Sequence, residues 1–387
     1  MNSNNPEHIF LCAGENSGDM HGAELIQELL RQNSSLQITC VGGDRSQNAG
    51  ATLIEHIRHL SCNGIVEVIK KLPRLRKIYH KIIRHLKTTK PGTVVLIDFP
   101  DFNMRVAKAA KKLGMRVIWY ISPTVWAWRK YRIFKLAKIV DMMLVILPFE
   151  KKLYETAGLD TRFVGNPILD SVRPSDYDRS RLRARFNFAE NDFVLGLLPG
   201  SRPSEFQRLF PRMQDTLQLL RGEHPELRAV VSCAPSLDLE QCKKLDRQEV
   251  EKTWITGQAH EIMAMTDFCI VASGTATLET AIFGTPMVVV YQLHPISFFL
   301  GKLIIHLEHF ALVNILAGRE VVPERIQQEV NPPALANTVK GYWSPGRMAQ
   351  TRRELQQVRD LLGEPGASRR AAQAILGQSQ SVANENS

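Results

Sequence analysis

Asp98 follows directly on the apolar run Val94-Val95-Leu96-Ile97, where a strand end would hold its carboxylate against low-dielectric core. Burial disfavours the charged form and lifts the pKa, which makes the group a better proton acceptor near neutral pH. Two roles fit it: general base, or cap of the following helix, with Asp101 and Asn103 as competitors for the second. Glu15, two residues after the run Ile9-Phe10-Leu11-Cys12-Ala13, is a second acid at a strand end with the same ambiguity. His21 is a further candidate for proton transfer, although a lone histidine in a first helical turn is more often structural. Arg202 follows the tight turn Pro199-Gly200-Ser201. A guanidinium there can clamp a diphosphate and stabilise leaving charge, or it can pair on the surface with Glu205.

The most informative stretch is Ile270-Val271-Ala272-Ser273-Gly274-Thr275-Ala276-Thr277-Leu278-Glu279. An apolar run ends in a small, flexible turn and a helix opens at once with hydroxyl residues. Unpaired backbone N–H groups and the positive helix end converge on Gly274, Thr275 and Ala276, a point that suits a phosphate. Glu279 lies four residues after Thr275 on the same helix face, placed to accept hydrogen bonds from ribose hydroxyls. The plainer alternative is an ordinary strand-to-helix turn with a Ser/Thr cap.

Other signatures are missing. There is no GxGxxG and no GxxxxGK[ST], which removes support for nicotinamide hydride transfer and for P-loop hydrolysis. Residues 14–18 lack the GxSxG spacing of a hydrolase elbow, which counts against Ser17 as a nucleophile. Asp176-Tyr177-Asp178 looks like a metal-and-sugar-nucleotide DxD but falls in a polar stretch and reads as a solvated turn. The six cysteines are scattered without metal-ligand spacing, which suggests a reducing compartment and no bound metal.

Strand-like and helix-like runs alternate. Residues 9–13, 93–97, 116–121 and 140–147 read as strands in the first half, with helices from about Asp19 and over 103–113. Residues 193–198, 228–232, 268–272 and 287–290 repeat the pattern in the second, and a linker is expected near 168–180. The fold class is therefore α/β: two doubly wound parallel-sheet domains in series. Ligands bind such sheets at the carboxyl ends of strands, so the turns 14–19, 98–103 and 199–202 are expected to line a cleft between domains, with Ser17 or Asp19 capping the first helix. The boundaries read as 1–172, 173–345, and a C-terminal helical segment with a polar tail over 346–387.

The chain of 387 residues is 44% hydrophobic and 23% charged, a soluble globular composition, and its first residues are polar, so neither a signal peptide nor a membrane span is expected. Net charge is +10, which implies an anionic partner. The excess is dense over residues 70–90, and across residues 65–78 Ile65, Val68, Ile69, Leu72, Leu75 and Ile78 recur at three- and four-residue intervals, with Val66 beside them. A helix with one greasy and one cationic side can lie in an anionic membrane surface; a core-packed helix with solvated lysines is the alternative. Without interleaved aromatics or a zinc-finger pattern, nucleic acid is not expected. Ser122-Pro123-Thr124-Val125-Trp126-Ala127-Trp128-Arg129 sets two tryptophans beside a basic run, suited to sugar stacking, a membrane interface or domain packing, and the apolar stretch 295–305 suits acyl chains or a buried helix.

Taken together, the motifs resemble the lipid-A-disaccharide synthase family over nearly the whole chain. The resemblance is carried by Gly14-Glu15-Asn16-Ser17-Gly18-Asp19, Gly64-Ile65-Val66-Glu67-Val68, Ile97-Asp98-Phe99-Pro100-Asp101-Phe102-Asn103, the tryptophan block above and Pro148-Phe149-Glu150. It continues with Pro199-Gly200-Ser201-Arg202, Ser273-Gly274-Thr275-Ala276-Thr277-Leu278-Glu279, and Asn314-Ile315-Leu316-Ala317-Gly318-Arg319-Glu320-Val321-Val322-Pro323-Glu324. It implies a GT-B architecture of two Rossmann-like domains and an inverting, metal-independent glycosyl transfer without a cofactor. UDP-2,3-diacylglucosamine is the implied donor and 2,3-diacylglucosamine 1-phosphate (lipid X) the implied acceptor. It also implies a homodimer on the inner face of the Gram-negative inner membrane.

Carried over by position, Asp98 is the base, with Glu15 and His21 as alternatives. Arg202 and residues 274–276 receive the diphosphate, Ser201 and Asn314 complete the donor site, Glu279 holds the ribose, and Asn16, Ser17, Gly18 and Asp19 form the acceptor loop. Two blocks depart from the family pattern: Gly165-Asn166-Pro167 replaces the usual Gly-His-Pro, and Cys62-Asn63 precedes Gly64 in place of more hydrophobic residues. Other readings are a different UDP-sugar enzyme of the same architecture, a lipid glycosyltransferase or an epimerase, and a non-catalytic lipid-binding scaffold.

Overall fold

The structure, a computed structural model, describes residues 7–60, 65–128, 131–247, 250–293 and 308–377, with the backbone alone at 65–71 and 128. Two compact units divide the chain: Met1–Asp170 with Leu362–Ser387, and Ser171–Leu361.

The first unit holds seven parallel strands, β1 (His8–Ala13), β2 (Gln37–Gly42), β3 (Thr52–His56), β4 (Thr93–Ile97), β5 (Arg116–Tyr120), β6 (Met142–Val145) and β7 (Asp160–Phe163), in the order β3-β2-β1-β4-β5-β6-β7. Successive side chains of a strand face opposite sides, so β1 feeds two cores. Phe10 and Cys12 join Ile78, Ile82 and Leu86 of helix α3 (Ile65–Thr89) and Val106 and Ala110 of helix α4 (Pro100–Lys112). Ile9, Leu11 and Ala13 join Leu25, Ile26 and Leu29 of helix α1 (Asn16–Gln32), together with Ala371, Ala372 and Ile375 from the C-terminal helix Ala367–Ile375. That helix is tied down where the Asp170 carboxylate accepts from the N–H groups of Gly366 and Ala367.

The second unit holds six parallel strands, β8 (Val194–Leu198), β9 (Arg228–Cys233), β10 (Thr253–Thr256), β11 (Phe268–Ala272), β12 (Met287–Tyr291) and β13 (Glu324–Ile326), in the order β10-β9-β8-β11-β12-β13. Its core joins Leu195, Leu197, Ile270 and Val288 to Phe206, Phe210 and Met213 of the helix Pro203–Glu223.

Each sheet reverses its strand order once, between β1 and β4 and between β8 and β11. A crevice opens beyond the strand ends at such a switch point. Register decides what enters it. Ala13 pairs with Ile97, so Gly14 and Asp98 leave the first sheet side by side. Val271 pairs with Leu198, which brings the turns after β8 and β11 together in the second.

Every strand expected from the sequence is present, and β2, β3, β7, β10 and β13 are additional. The last four are sheet edges, paired on one side and only partly buried, so they lack a continuous apolar run. Helix α1 starts at Asn16 and α4 at Pro100, each three residues earlier than expected. No described helix is long and apolar enough to cross a membrane.

Candidate active site

At the first switch point the chain turns sharply after β4: Asp98 and Phe99 both take left-handed backbone, φ 42° and 48°. Non-glycine residues pay for that conformation, so something must hold it. Asn103, fully buried, does so. Its Nδ2 donates to the carbonyls of Ile97 at 3.1 Å and Asp98 at 2.8 Å, and reaches that of Cys12 at 3.4 Å, pinning the ends of β1 and β4 with one amide. Gly14 completes the turn by absence, since a Cβ there would stand 2.1 Å from the Phe99 ring.

The Asp98 side chain is not a helix cap. Phe99 occupies that position without a side-chain cap, and Pro100 in the first turn has no N–H to satisfy. Burial, with Glu15 close by as a second negative charge, pushes the Asp98 carboxyl up to about 6, against the opposing pull of the Phe99 N–H and His21. Glu15 itself stands at the entry of α1 without capping it, exposed, accepting from Ser17 Oγ at 3.1 Å.

Asn16 and Ser17 are exposed beside it, whereas Gly18 and Asp19 are buried. Neither Ser17 nor Asp19 caps α1, contrary to expectation. The Asp19 carboxylate reaches across to the helix α2 (Asp44–Asn48), accepting from the N–H of Gly43 at 2.6 Å, of Ser46 at 3.2 Å and of Arg45 at 3.3 Å, and from Ser46 Oγ at 2.5 Å. Gly18 packs on Ala13, where a Cβ would meet Cβ at 3.3 Å. The exposed part of this loop, which lines the cavity described next, is therefore Glu15, Asn16 and Ser17. His21 Nδ1 lies 3.7 Å from Glu24.

A cavity of about 1890 Å³ opens from Glu15, Asn16, Ser17, Phe99 and Pro100 and continues between α3 and α4. Arg105, Lys108 and Lys112 line it. Their spacing of three and then four residues, which marks one helix face, was legible in the sequence but not among the expected site residues.

The second switch point has the complementary character. Gly200 is left-handed at φ 104°, Ser201 is exposed with its carbonyl accepting from Ser236 Oγ at 2.8 Å, and Arg202 opens the helix Pro203–Glu223. The Arg202 side chain is 78% exposed and paired with Glu205 at 2.9 Å, a contact of at most about 1 kcal/mol that an incoming anion readily replaces. Across from it, Gly274 begins the helix Thr275–Ile282 with no side-chain cap; the Thr277 hydroxyl donates back to the Gly274 carbonyl at 2.8 Å instead of capping. Gly274 and Thr275 are exposed and nothing crowds Gly274, so the helix N-terminus is approachable by an anion. Ala276 and Glu279 are half-buried, and the Glu279 carboxylate lies 3.3 Å from His260 Nε2.

Asn314 is engaged within the chain. Fully buried, it donates to Val322 O and Glu324 and accepts from the N–H groups of Val321 and Val322, all within 2.7–3.1 Å. Its four bonds brace the turn before β13, which leaves no atom for a donor. The tryptophan block also turns inward: Trp126 is buried and donates to Glu150 at 3.0 Å, alongside Ser122 at 2.5 Å, and burial raises the Glu150 carboxyl to about 7. Asn166, at the position of the family histidine, is buried with Oδ1 on the Ile168 N–H. The side chains of Ile65, Val66, Val68, Ile69 and Trp128, and residues 62–64 and 295–305, lie outside the described residues. Leu72 is 49% exposed, while Leu75 is half-buried against the core.

Comparison with known proteins places this architecture. The structure is similar to MurG of Acinetobacter baumannii, TM-score 0.61 at 15% identity, covering 96% of this chain and all of that one. It is also similar to UDP-GlcNAc 2-epimerase from Neisseria meningitidis bound to UDP-GlcNAc, TM-score 0.58 at 12% identity, covering 96% and 98%. Both fix the fold, GT-B, with its two parallel-sheet domains. A lipid-A-disaccharide synthase of Myxococcus xanthus is 39% identical over 374 residues, 96% of this chain and 97% of that relative, and one of Geobacter metallireducens is 38% identical over 372, again 96% and 97%. The family model described as lipid-A-disaccharide synthetase matches residues 9–377. The chain belongs to the lipid-A-disaccharide synthase family.

Proposed function

We propose that the chain transfers 2,3-diacylglucosamine from UDP-2,3-diacylglucosamine to the 6-hydroxyl of 2,3-diacylglucosamine 1-phosphate, giving a β-1',6-linked disaccharide 1-phosphate and UDP. The observation that carries this reading is Asp98, a half-buried carboxyl raised to about 6, on a braced turn at a sheet switch point beside Glu15. The Asp98 carboxylate takes the proton from the acceptor hydroxyl as its oxygen attacks the anomeric carbon from the face opposite the diphosphate. The bond from anomeric carbon to diphosphate oxygen breaks with its electron pair, so the linkage inverts. On the second unit, Arg202 and the uncapped N–H groups at Gly274, Thr275 and Ala276 receive the negative charge that departs with UDP, and Glu279 holds the ribose.

The direct test is mass analysis of the lipid made by purified protein from both substrates. A tetraacyl disaccharide monophosphate is expected; intact substrates under conditions where a known synthase works would overturn the reading. The rate also has a pH signature. A base must be ionised to work, so kcat/KM rises about tenfold per pH unit below 6 and levels above it. A profile flat between pH 5 and 8 would exclude a base with the Asp98 environment.

The same proposal includes peripheral contact with an anionic membrane through the start of α3, where Leu72 is exposed beside basic residues. Leu72→Ser is expected to lower binding to anionic vesicles about threefold or more without changing thermal stability, since that side chain is largely in water already. Unaltered vesicle binding at low salt would remove Leu72 from that role.

A further inference from the structure

The cavity of the first unit has two kinds of wall. One is apolar, with Leu60, Leu72, Leu75, Tyr79 and Phe102 along it. The other is cationic on both helices: α4 contributes Arg105, Lys108 and Lys112, and α3 contributes Arg76, Lys77, Lys81 and Arg84. Among the described residues only Lys81 of these seven makes an ion pair, with Glu55. The acids on the lining are Glu15 and Asp101, and Asp101 is already paired with Arg132. Unpaired cations gathered along one groove repel one another until an anion enters. The volume, about 1890 Å³, exceeds the roughly 300–1,000 Å³ of ordinary small-molecule sites, leaving room for a sugar and an acyl chain together.

We infer that this groove seats the acceptor of the proposed transfer, with its phosphate on the cations of α4, Arg105 foremost, and an acyl chain along the apolar wall. Position along the helix supports the assignment. Helix α4 begins at Pro100, two residues beyond Asp98, and Arg105 lies about 7.5 Å of helical rise further on, with Lys108 at about 12 Å. A pyranose whose 6-hydroxyl meets Asp98 carries a 1-phosphate at its opposite end, one ring away, which is where α4 first offers a guanidinium. The groove then selects a phosphorylated acceptor over its 1-hydroxyl counterpart, because the phosphate makes charge-assisted bonds that the hydroxyl does not. This inference rests on the glycosyl transfer proposed above.

The test compares the wild type with an Arg105→Ala, Lys108→Ala double variant, using phosphorylated and 1-hydroxyl acceptors in nonionic detergent micelles. Both positions are exposed on a helix where alanine is well tolerated, so the fold is retained. The KM for the phosphorylated acceptor is expected to rise about 10- to 100-fold, while the KM for the 1-hydroxyl acceptor and for the UDP-sugar stay within about twofold. Equal losses for both acceptors, or an unmoved KM for the phosphorylated one, would overturn the inference. So would a loss that appears only on anionic phospholipid vesicles and vanishes in micelles, since the cations would then serve the membrane surface. If the wild type makes no disaccharide from either acceptor, the proposed transfer itself is wrong.

Discussion

Asp98→Asn is expected to lower kcat by about 10²- to 10³-fold and to leave the donor KM within about twofold. The substitution keeps shape and changes charge. Asparagine adopts left-handed backbone more readily than most residues, so the turn at φ 42° and the Asn103 clamp on its carbonyl survive, while the proton acceptor is gone. Stability supplies a second readout with a definite sign. Because the folded carboxyl is raised to about 6, the native state holds its proton more tightly than the unfolded chain, and the stabilisation this confers is present below about pH 4 and lost as pH rises through 6. Asparagine has no such loss. The variant is therefore more stable than the wild type at pH 8, by on the order of 2 kcal/mol, and the gap closes in acid. Denaturant titrations at pH 8 and below pH 4 check this. A kcat within threefold of wild type would pass the base to Glu15.

Arg202→Ala is expected to cost about 100-fold in kcat/KM for the UDP-sugar while shifting thermal stability hardly at all. The asymmetry follows from its setting: the guanidinium is exposed and, among the described residues, its ion pair is with Glu205 three residues on, a weak surface contact. A diphosphate seated as proposed would engage it by charge-assisted, bidentate bonds, so Arg202→Lys is expected to restore only part of the activity. Steady-state kinetics beside a melting curve separate the cases. A large drop in stability with kcat/KM unchanged would make Arg202 a structural residue.

What the sequence disclosed about the site depended on distance along the chain. Asp98 was legible because the apolar run before it marks a strand end, and Gly274 because strand, turn and helix are contiguous. That Glu15 and Asp98 are neighbours depends on β1 pairing with β4, eighty-four residues away in register, which no local pattern encodes. Asp19 illustrates the limit. As a polar residue in the first turn of a helix it reads as a cap or a ligand, but its partners are Gly43, Arg45 and Ser46 of another helix. Asn314 misleads for a related reason: its bonds to Val321, Val322 and Glu324 use up an amide that its motif makes conspicuous. In the fold, central strands such as β4 and β11 announce themselves by being buried on both faces, whereas edge strands such as β13, Glu324–Ile326, are too short and polar to do so.

Release of UDP from UDP-diacylglucosamine, followed in purified protein with and without the phosphorylated acceptor, separates glycosyl transfer from chemistry on the donor alone. A transferase that uses Asp98 to deprotonate an acceptor hydroxyl releases UDP only when that acceptor is present, and in step with formation of the disaccharide. Release or isomerisation of the UDP-sugar at the same rate without acceptor would contradict the account, because the base would then be acting on the donor alone, as an epimerase requires.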